Sequence, residues 1–469
     1  MIFRAIFTNS TGILTSRVLG FLRDMLTASV LGASVFSDIF FIAFKIPNLF
    51  RNIFAEGAFS QSFIPSYAAS KHKPLFSVVT FTRIFTVIVL LSIMVTIFQG
   101  FVSQIVAFGY SSEIKALSAP IIAINFFYLD MIFIVTFLGA LLQYRKHFAT
   151  TAFSTALLNV AMIVALMIAK HMDKLSVVYA LSWGVLVGGA LQALVHIIAV
   201  KRYNVWRSLV VGFARLKQKD RRVEEDAKRF NHSFIPSIAG SSTAQISAFI
   251  DTWLATFLAT GAISYLYYAN RIFQLPLAVF AIATSMALFP SIAKSINNGQ
   301  EEVAFETLKK GFWFLSFMLF GFAIGGILLS KEIIWLIYER GAFHRVDTLE
   351  VSRVLSMYML GLIPFGFSKL FSLWLYSHHQ QLKAAKISAI SLTCNAILSL
   401  ILMNFFGASG IALSGSLTGM ILLILTLREF GFGRFLSIVM DKKLFLLILF
   451  LLIEITALEL FKGLNLVNI

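Results

Sequence analysis

Charged side chains recur inside segments that are otherwise apolar enough to cross a bilayer. The stretch from Asp38 to Ser66, DIFFIAFKIPNLFRNIFAEGAFSQSFIPS, carries Asp38, Lys45, Arg51 and Glu56. The preceding apolar segment carries Arg17, Arg23 and Asp24, and later ones carry Asp251, Arg271 and Lys369. An ionised group near a bilayer centre costs about 2.5–3.5 kcal/mol on insertion scales. Such groups therefore face one another or a watery cavity, not lipid. Cations outnumber anions in this set, so a shared cavity would be electropositive. Arginine suits phosphate, because it stays charged and its planar fork donates two parallel hydrogen bonds. Three or four arginines converging from the first, second and eighth segments would fit a diphosphate. For each ion taken singly, a structural pair that ties two helices together is the competing explanation. Asp251 suits a cation site, a helix cap or such a pair, and Lys369 suits snorkelling to an interface.

Spacing adds detail. Arg17 and Asp24 are seven residues apart and share a helix face, as do Asp38 and Lys45; Asn52 and Glu56 are four apart. Pro47 removes a backbone bond and predicts a kink near Lys45 and Arg51. Gly20, Gly32 and Gly57 permit similar irregularity.

The elements that must position these residues are membrane helices. The chain is 58% hydrophobic and 13% charged, with a mean hydropathy of +0.86. A soluble chain carries roughly twice that charged fraction. Apolar runs fall at about 10–32, 36–69, 76–108, 116–143, 149–169, 176–200, 233–258, 262–295, 306–330, 349–377, 384–404, 407–427 and 443–462. The expected fold is an all-α polytopic membrane protein of about thirteen spans. Short alternating strands of an outer-membrane barrel are absent. Lys71, Lys73, Arg145, Lys146, the Lys201–Arg229 stretch, Lys294, Lys383 and Arg428–Lys443 fall in alternate loops. The intervening loops are poor in basic residues, apart from KHMDK and the region of Arg340 and Arg345. The basic set is expected in the cytoplasm, together with the N-terminus. That placement accounts for the net charge of +17 without nucleic acid.

Residues 1–201 form an expected N-terminal lobe of six spans, 202–231 a cytoplasmic linker, 232–430 a second lobe of six, and 431–469 an extra span. Trp206, Val210, Phe213 and Leu216 at helical spacing suggest a helix lying on the membrane face, followed by the charged run KQKDRRVEEDAKR. FIPSYAASK and LFPSIAKSI end the second span of each lobe, so Pro65 and Pro290 correspond, and AFKIPNLFRNIF parallels YANRIFQLPLAVF. Parallel repeats of this kind commonly enclose a site at their interface.

Other chemistries find no residues. There is no Walker A sequence and no metal-ligand pattern among His232, His344, His378 and His379. The start MIFRAIFTNSTG lacks a cleavage pattern for a signal peptide. The lone Cys394 lies in an apolar segment and suits a buried, inert thiol. Gly415 and Gly419 suit close helix packing. A multidrug exporter would favour acids and aromatics over arginines, and a lipid-linked glycan-processing enzyme would need a large extracytoplasmic loop.

The Asp38–Ser66 string closely resembles the second-helix signature of the MurJ (MviN) lipid II flippases. SRVLGFLRD at Ser16–Asp24 is similar to their first-helix motif, ANRIFQLPLAVFAIATSMALFP to their eighth helix, and YERGAF at Tyr338–Phe343 to another hallmark. The resemblance extends over nearly the whole chain. It implies a fold of the multidrug/oligosaccharidyl-lipid/polysaccharide exporter superfamily, with two six-helix lobes facing each other. It implies movement of lipid II, a polyprenyl-diphosphate-linked disaccharide peptide, from the inner to the outer leaflet of the cytoplasmic membrane by alternating access. It assigns Arg17, Arg23, Asp24, Arg51 and Arg271 to substrate binding, with Asp38, Lys45 and Glu56 supporting the cavity. No cofactor is required; membrane potential is the expected driving force, and the expected partners are lipid II, membrane lipids and the cell-wall synthesis machinery. By the same resemblance Asp251 and Asn395 match two ligands of a candidate sodium site, although Ser399 stands where a second acid is expected. Asn270 stands where some members carry an acid, and family members have a fourteenth helix associated with a lipid-tail groove.

Overall fold

The computed structural model describes residues 2–51, 58–218 and 220–463, and among these every regular element is helical. Glu56 lies outside the described residues. Two compact units, Met1–Phe249 and Ile250–Ile469, divide the chain.

In the first unit the spans are α1 (Ile2–Leu31), α2 (Val35–Phe50) with α3 (Phe59–Ala69), α4 (Lys73–Ile97) with α5 (Gln99–Val106), α6 (Ser112–Phe126) with α7 (Tyr128–Tyr144), α8 (Ala149–Ala169) and α9 (Lys174–Arg202). Ser37 Oγ accepts from the Ser34 N–H at 2.8 Å and closes the first turn of α2. Pro74 starts α4, where its missing N–H costs nothing. The Asp173 carboxylate accepts from the Ser176 hydroxyl and N–H at the start of α9, which holds it below its ordinary range. Several polar side chains inside the bundle are matched across helices, as a medium without water favours. Asn125 donates to Ser182 Oγ at 2.8 Å, Gln192 to the Ser154 carbonyl at 3.0 Å, and Ser92 to Asp130 at 3.2 Å.

The linker contains α10 (Trp206–Ala214) and the first turns of α11 (Arg221–Ala255), which runs across the boundary between the units. Leu209 and Gly212 face inward, and a Cβ at Gly212 would stand 2.2 Å from the Pro74 carbonyl oxygen, so α10 lies directly on the start of α4. Trp206, Val210 and Phe213 stay 40–50% exposed, an apolar row turned away from the protein. The charged run continues as helix, with Arg83 and Glu224 paired at 2.8 Å and Phe230 buried among Phe59, Phe63 and Phe76.

The second unit takes the rest of α11, then α12 (Ala262–Pro276), a π-helical segment (Leu277–Ile282) and α13 (Ala283–Asn297). There follow α14 (Glu301–Leu328), α15 (Ser330–Tyr338), α16 (Arg345–Leu360), α17 (Leu362–Ser377), α18 (Gln381–Phe430), α19 (Phe432–Val439) and α20 (Lys443–Gly463). α18 is two spans, because Gly407 at φ 56° and ψ −133° breaks it. The arms fold back on each other, with Ser399 facing Ser414 and Asn395 facing Thr418. A Cβ at Gly410 would stand 2.2 Å from the Leu402 carbonyl oxygen, which shows how tight the reversal is. The thirteen apolar segments expected from the sequence thus all have helical counterparts. Pro65 in α3 and Pro290 in α13 each lie in the second half of a unit's second span.

Candidate functional site

The ions of the first unit occupy three distinct environments. Arg23 donates from Nε and Nη2 to Asp24 Oδ1 at 3.0 and 2.6 Å, and from Nη1 to Asn159 Oδ1 at 3.0 Å. Asn159 returns its own amide N–H to the Ser16 carbonyl at 3.0 Å. Arg23 and Asp24 are 5% and 2% exposed, so this is a desolvated pair seated where α1 meets α8. Arg17, one turn and a half earlier, is exposed. The shared face expected of Arg17 and Asp24 is therefore not where Asp24 finds this arginine; its neighbour in sequence curls round to it.

Asp38 is fully buried and accepts a hydrogen bond of 2.9 Å from the Tyr110 hydroxyl. Burial first, then the Asp38 charge, pushes the Tyr110 phenol far above its ordinary value, so it stays protonated and keeps donating. Lys45 is half-buried on the same helix. Arg51 follows the last turn of α2, four residues past Pro47, and lines a cavity of about 220 Å³ inside this unit. Thr136 and Gly139 of α7, Thr151 and Thr155 of α8 and Gln192 of α9 line its other walls.

In the second unit Arg271 on α12 is half-buried and donates from Nη2 to the Tyr267 hydroxyl at 2.7 Å, with its guanidinium 4.9 Å from that ring. The pair is one turn apart, and the tyrosine holds the guanidinium without neutralising it. Asn270 and Gln274 are hydrogen-bonded along the same helix. Lys369 on α17 is exposed.

Asp251 and Asn395, far apart in sequence, meet in this unit. Asp251 Oδ1 accepts from Asn395 Nδ2 at 2.8 Å and from Ser399 Oγ at 3.1 Å. Asn395 Oδ1 in turn accepts from Thr418 at 3.3 Å and Ser414 at 3.5 Å. Among the described residues no group of three His, Cys, Asp or Glu side chains could hold a metal. The cluster offers one carboxylate, an amide and hydroxyls, all oxygen donors once the amide is turned, which suits a hard monovalent cation and not a transition metal.

Charge alone pointed to the ions and overlooked their neutral partners. Asn159, Tyr110, Tyr267, Ser414 and Thr418 carry no charge, and each lies in a stretch whose composition gives no reason to single it out. The useful signal for Asn159 is a lone amide in the apolar run of α8, but nothing in the sequence says that it faces α1.

The description "Lipid II flippase MurJ" belongs to the family model that matches residues 27–467. A probable lipid II flippase MurJ of Helicobacter pylori (strain ATCC 700392 / 26695) is 49% identical over 445 residues, covering 93% of this chain and 96% of that protein. One from Buchnera aphidicola subsp. Acyrthosiphon pisum (strain APS) is 31% identical, covering 97% of this chain and 89% of that protein. Among solved structures, a lipid II flippase MurJ in an inward closed conformation superposes with a TM-score of 0.78 at 25% identity, covering 97% of this chain and 98% of that one. An inward-facing multidrug resistance MATE family transporter of the MOP superfamily shares the fold, with a TM-score of 0.70 at 15% identity over 93% of this chain and 99% of that one. On this match across nearly its whole length, the chain belongs to the lipid II flippase MurJ family.

Proposed function

We infer that this chain is a lipid II flippase of the inner membrane, a transporter and not an enzyme, working by alternating access. The single observation that carries this reading is the family match over residues 27–467, into which the intramembrane arginines fit chemically. Arg17, Arg51 and Arg271 are the diphosphate-binding groups: Arg51 and Arg271 are half-buried and Arg17 is exposed, and a guanidinium offers the two parallel donors that a phosphate accepts. Arg23 is committed to Asp24 and Asn159, so its part is to hold α1 on α8 at a fixed angle, with Asp24 as its counter-charge. Asp38 and Lys45 set the electrostatics of α2 around Arg51.

The N-terminus lies in the cytoplasm, as the basic loops require. An inside-negative potential drives the anionic headgroup outward and draws the emptied cationic protein back, at about 2.3 kcal/mol per elementary charge per 100 mV. Enzymes that polymerise the carried disaccharide on the outer face are the partners that consume the product. A sodium ion taken up by the second unit would be held by Asp251, the Asn395 oxygen and the hydroxyls of Ser399 and Thr418, where it would offset the half-buried carboxylate.

The test is rescue of cells depleted of their own flippase. Wild-type chain should restore peptidoglycan synthesis, and Arg51→Ala and Arg271→Ala should not, although both insert and accumulate normally. Failure of the well-expressed wild-type chain would overturn the reading, and near-normal rescue by either variant would overturn the arginine assignment. Sodium dependence is read separately: transport that responds to a sodium gradient in the wild type and not in Asp251→Asn supports the ion site, and equal response in both refutes it.

A further inference from the structure

Helix α10 presents a surface that the movement of lipid II does not use. It has nine residues, too few for a helix to persist alone in water, so what covers its faces matters. One face, through Leu209 and Gly212, packs on the start of α4. Trp206, Val210 and Phe213 are spaced four and three residues apart and form one stripe, about 100° round the helix from the packed face. That stripe stays half-exposed.

The charges around α10 are all of one sign. Lys201 and Arg202 close α9 just before it, Arg207 lies in its first turn, and Arg215 and Lys217 follow its end. Arg145 and Lys146 join them from the α7–α8 loop, because the His147 ring lies 4.1 Å from the Tyr203 ring and holds that loop against the α9–α10 turn. Burial, and after it the Arg202 charge, keeps the His147 imidazole below its ordinary value, so it adds no charge of its own at neutral pH. All seven cations are exposed, and no acidic residue occurs from position 174 to position 219. The acids that follow are engaged with α4: Asp220 lies 3.6 Å from His72, and Glu224 pairs with Arg83 at 2.8 Å. Lys201 Nζ sits 5.3 Å from the centre of the Trp206 ring, so the cations adjoin the apolar stripe directly.

Position and chemistry together select what covers this surface. α9 is a helix long and apolar enough to cross a membrane, and α10 begins four residues after its end, at the edge of a bilayer. Water leaves the stripe bare. A zwitterionic lipid covers the stripe but brings no net charge to the cations. An anionic phospholipid does both, with acyl chains for the stripe and phosphate for the lysines and arginines.

We propose that α10 and its flanking basic residues form a docking site for anionic phospholipid. The upper acyl region takes Trp206, Val210 and Phe213, and the headgroup takes Lys201, Arg202, Arg207 and Arg215. The site is separate from the intramembrane arginines and does not depend on the flippase reading. α10 leads into α11, so the lipid anchors the segment that joins the two units.

The experiment reads Trp206 fluorescence in full-length protein held in phosphatidylcholine nanodiscs. These carry increasing fractions of bromine-labelled lipid, either phosphatidylglycerol or phosphatidylcholine. Bromine quenches a tryptophan that it touches, and subtracting the Trp206→Phe variant isolates this residue from the other five tryptophans. Brominated phosphatidylglycerol should reach half-quenching at least about fivefold below brominated phosphatidylcholine, the factor expected for one cation at a membrane surface. Arg207→Gln combined with Arg215→Gln, melting with the wild type, should remove most of that preference and leave quenching by phosphatidylcholine in place. High salt should narrow the preference in the wild type. Equal quenching by the two lipids would overturn the anionic site. Quenching by neither would mean that something other than lipid covers the stripe, and would overturn it as well. A preference that survives the double variant would remove these arginines from the site, and one that survives high salt would overturn its electrostatic basis.

Discussion

At the scale of single residues, the first unit shows how a membrane protein keeps charge inside a bundle. The Arg23–Asp24 pair is nearly sealed from solvent, and its stability depends on every partner being present. Removing one partner leaves an uncompensated group. Asp24→Asn should destabilise the folded protein by about 3–5 kcal/mol, the usual cost of breaking a buried pair. Asn159→Leu removes only a neutral acceptor and should cost about 1–3 kcal/mol. Thermal melting of the detergent-purified variants measures both, and the expected order is Asp24→Asn below Asn159→Leu below wild type. Arg51→Ala should melt close to wild type while losing transport, because the charge it removes is half-buried at the edge of a cavity.

At the scale of elements, prolines, π turns and one glycine decide where the long apolar runs bend. Gly407 carries a backbone conformation closed to residues with a Cβ, at the point where two spans reverse direction. Gly407→Ala should destabilise by about 1–3 kcal/mol and loosen the contact of Asn395 with Asp251. Limited proteolysis near residue 407 would report the loosened turn. A second element contact lies at the start of α20. Lys309 of α14 bonds Asp441 at 2.9 Å, and together with the Lys443 N–H it holds that carboxyl below its ordinary value. A carboxyl lowered by folding contributes above its unfolded pKa and loses its contribution as pH falls through the folded value. Asp441→Asn should therefore lower the melting temperature slightly at neutral pH and low salt. The difference should vanish in strong acid and shrink in high salt, since the pair is partly open to solvent.

At the scale of the molecule, the apolar helices and the alternating basic loops predict a topology that chemical labelling reads directly. With Cys394 replaced by alanine, a cysteine at Lys146 should be shielded from a membrane-impermeant maleimide in cells whose inner membrane is intact. A cysteine at Met172, one loop later, should react. The reverse pattern would invert the orientation and with it the direction of the electrical driving force.

The sequence by itself determined the class of protein, the spans and the cations, because hydropathy and charge are one-dimensional properties that the bilayer reads residue by residue. The motif string from Asp38 to Ser66 went further and pointed to the family. The tertiary structure decided the pairings. Arg23 meets Asn159 across 136 positions and Asp251 meets Asn395 across 144, separations at which no helical periodicity constrains which faces touch. It also placed Arg23 in a sealed pair with Asp24 and set Arg271 against the Tyr267 hydroxyl. The cavity beside Arg51 was not legible at all, because it depends on how α7, α8 and α9 pack around it.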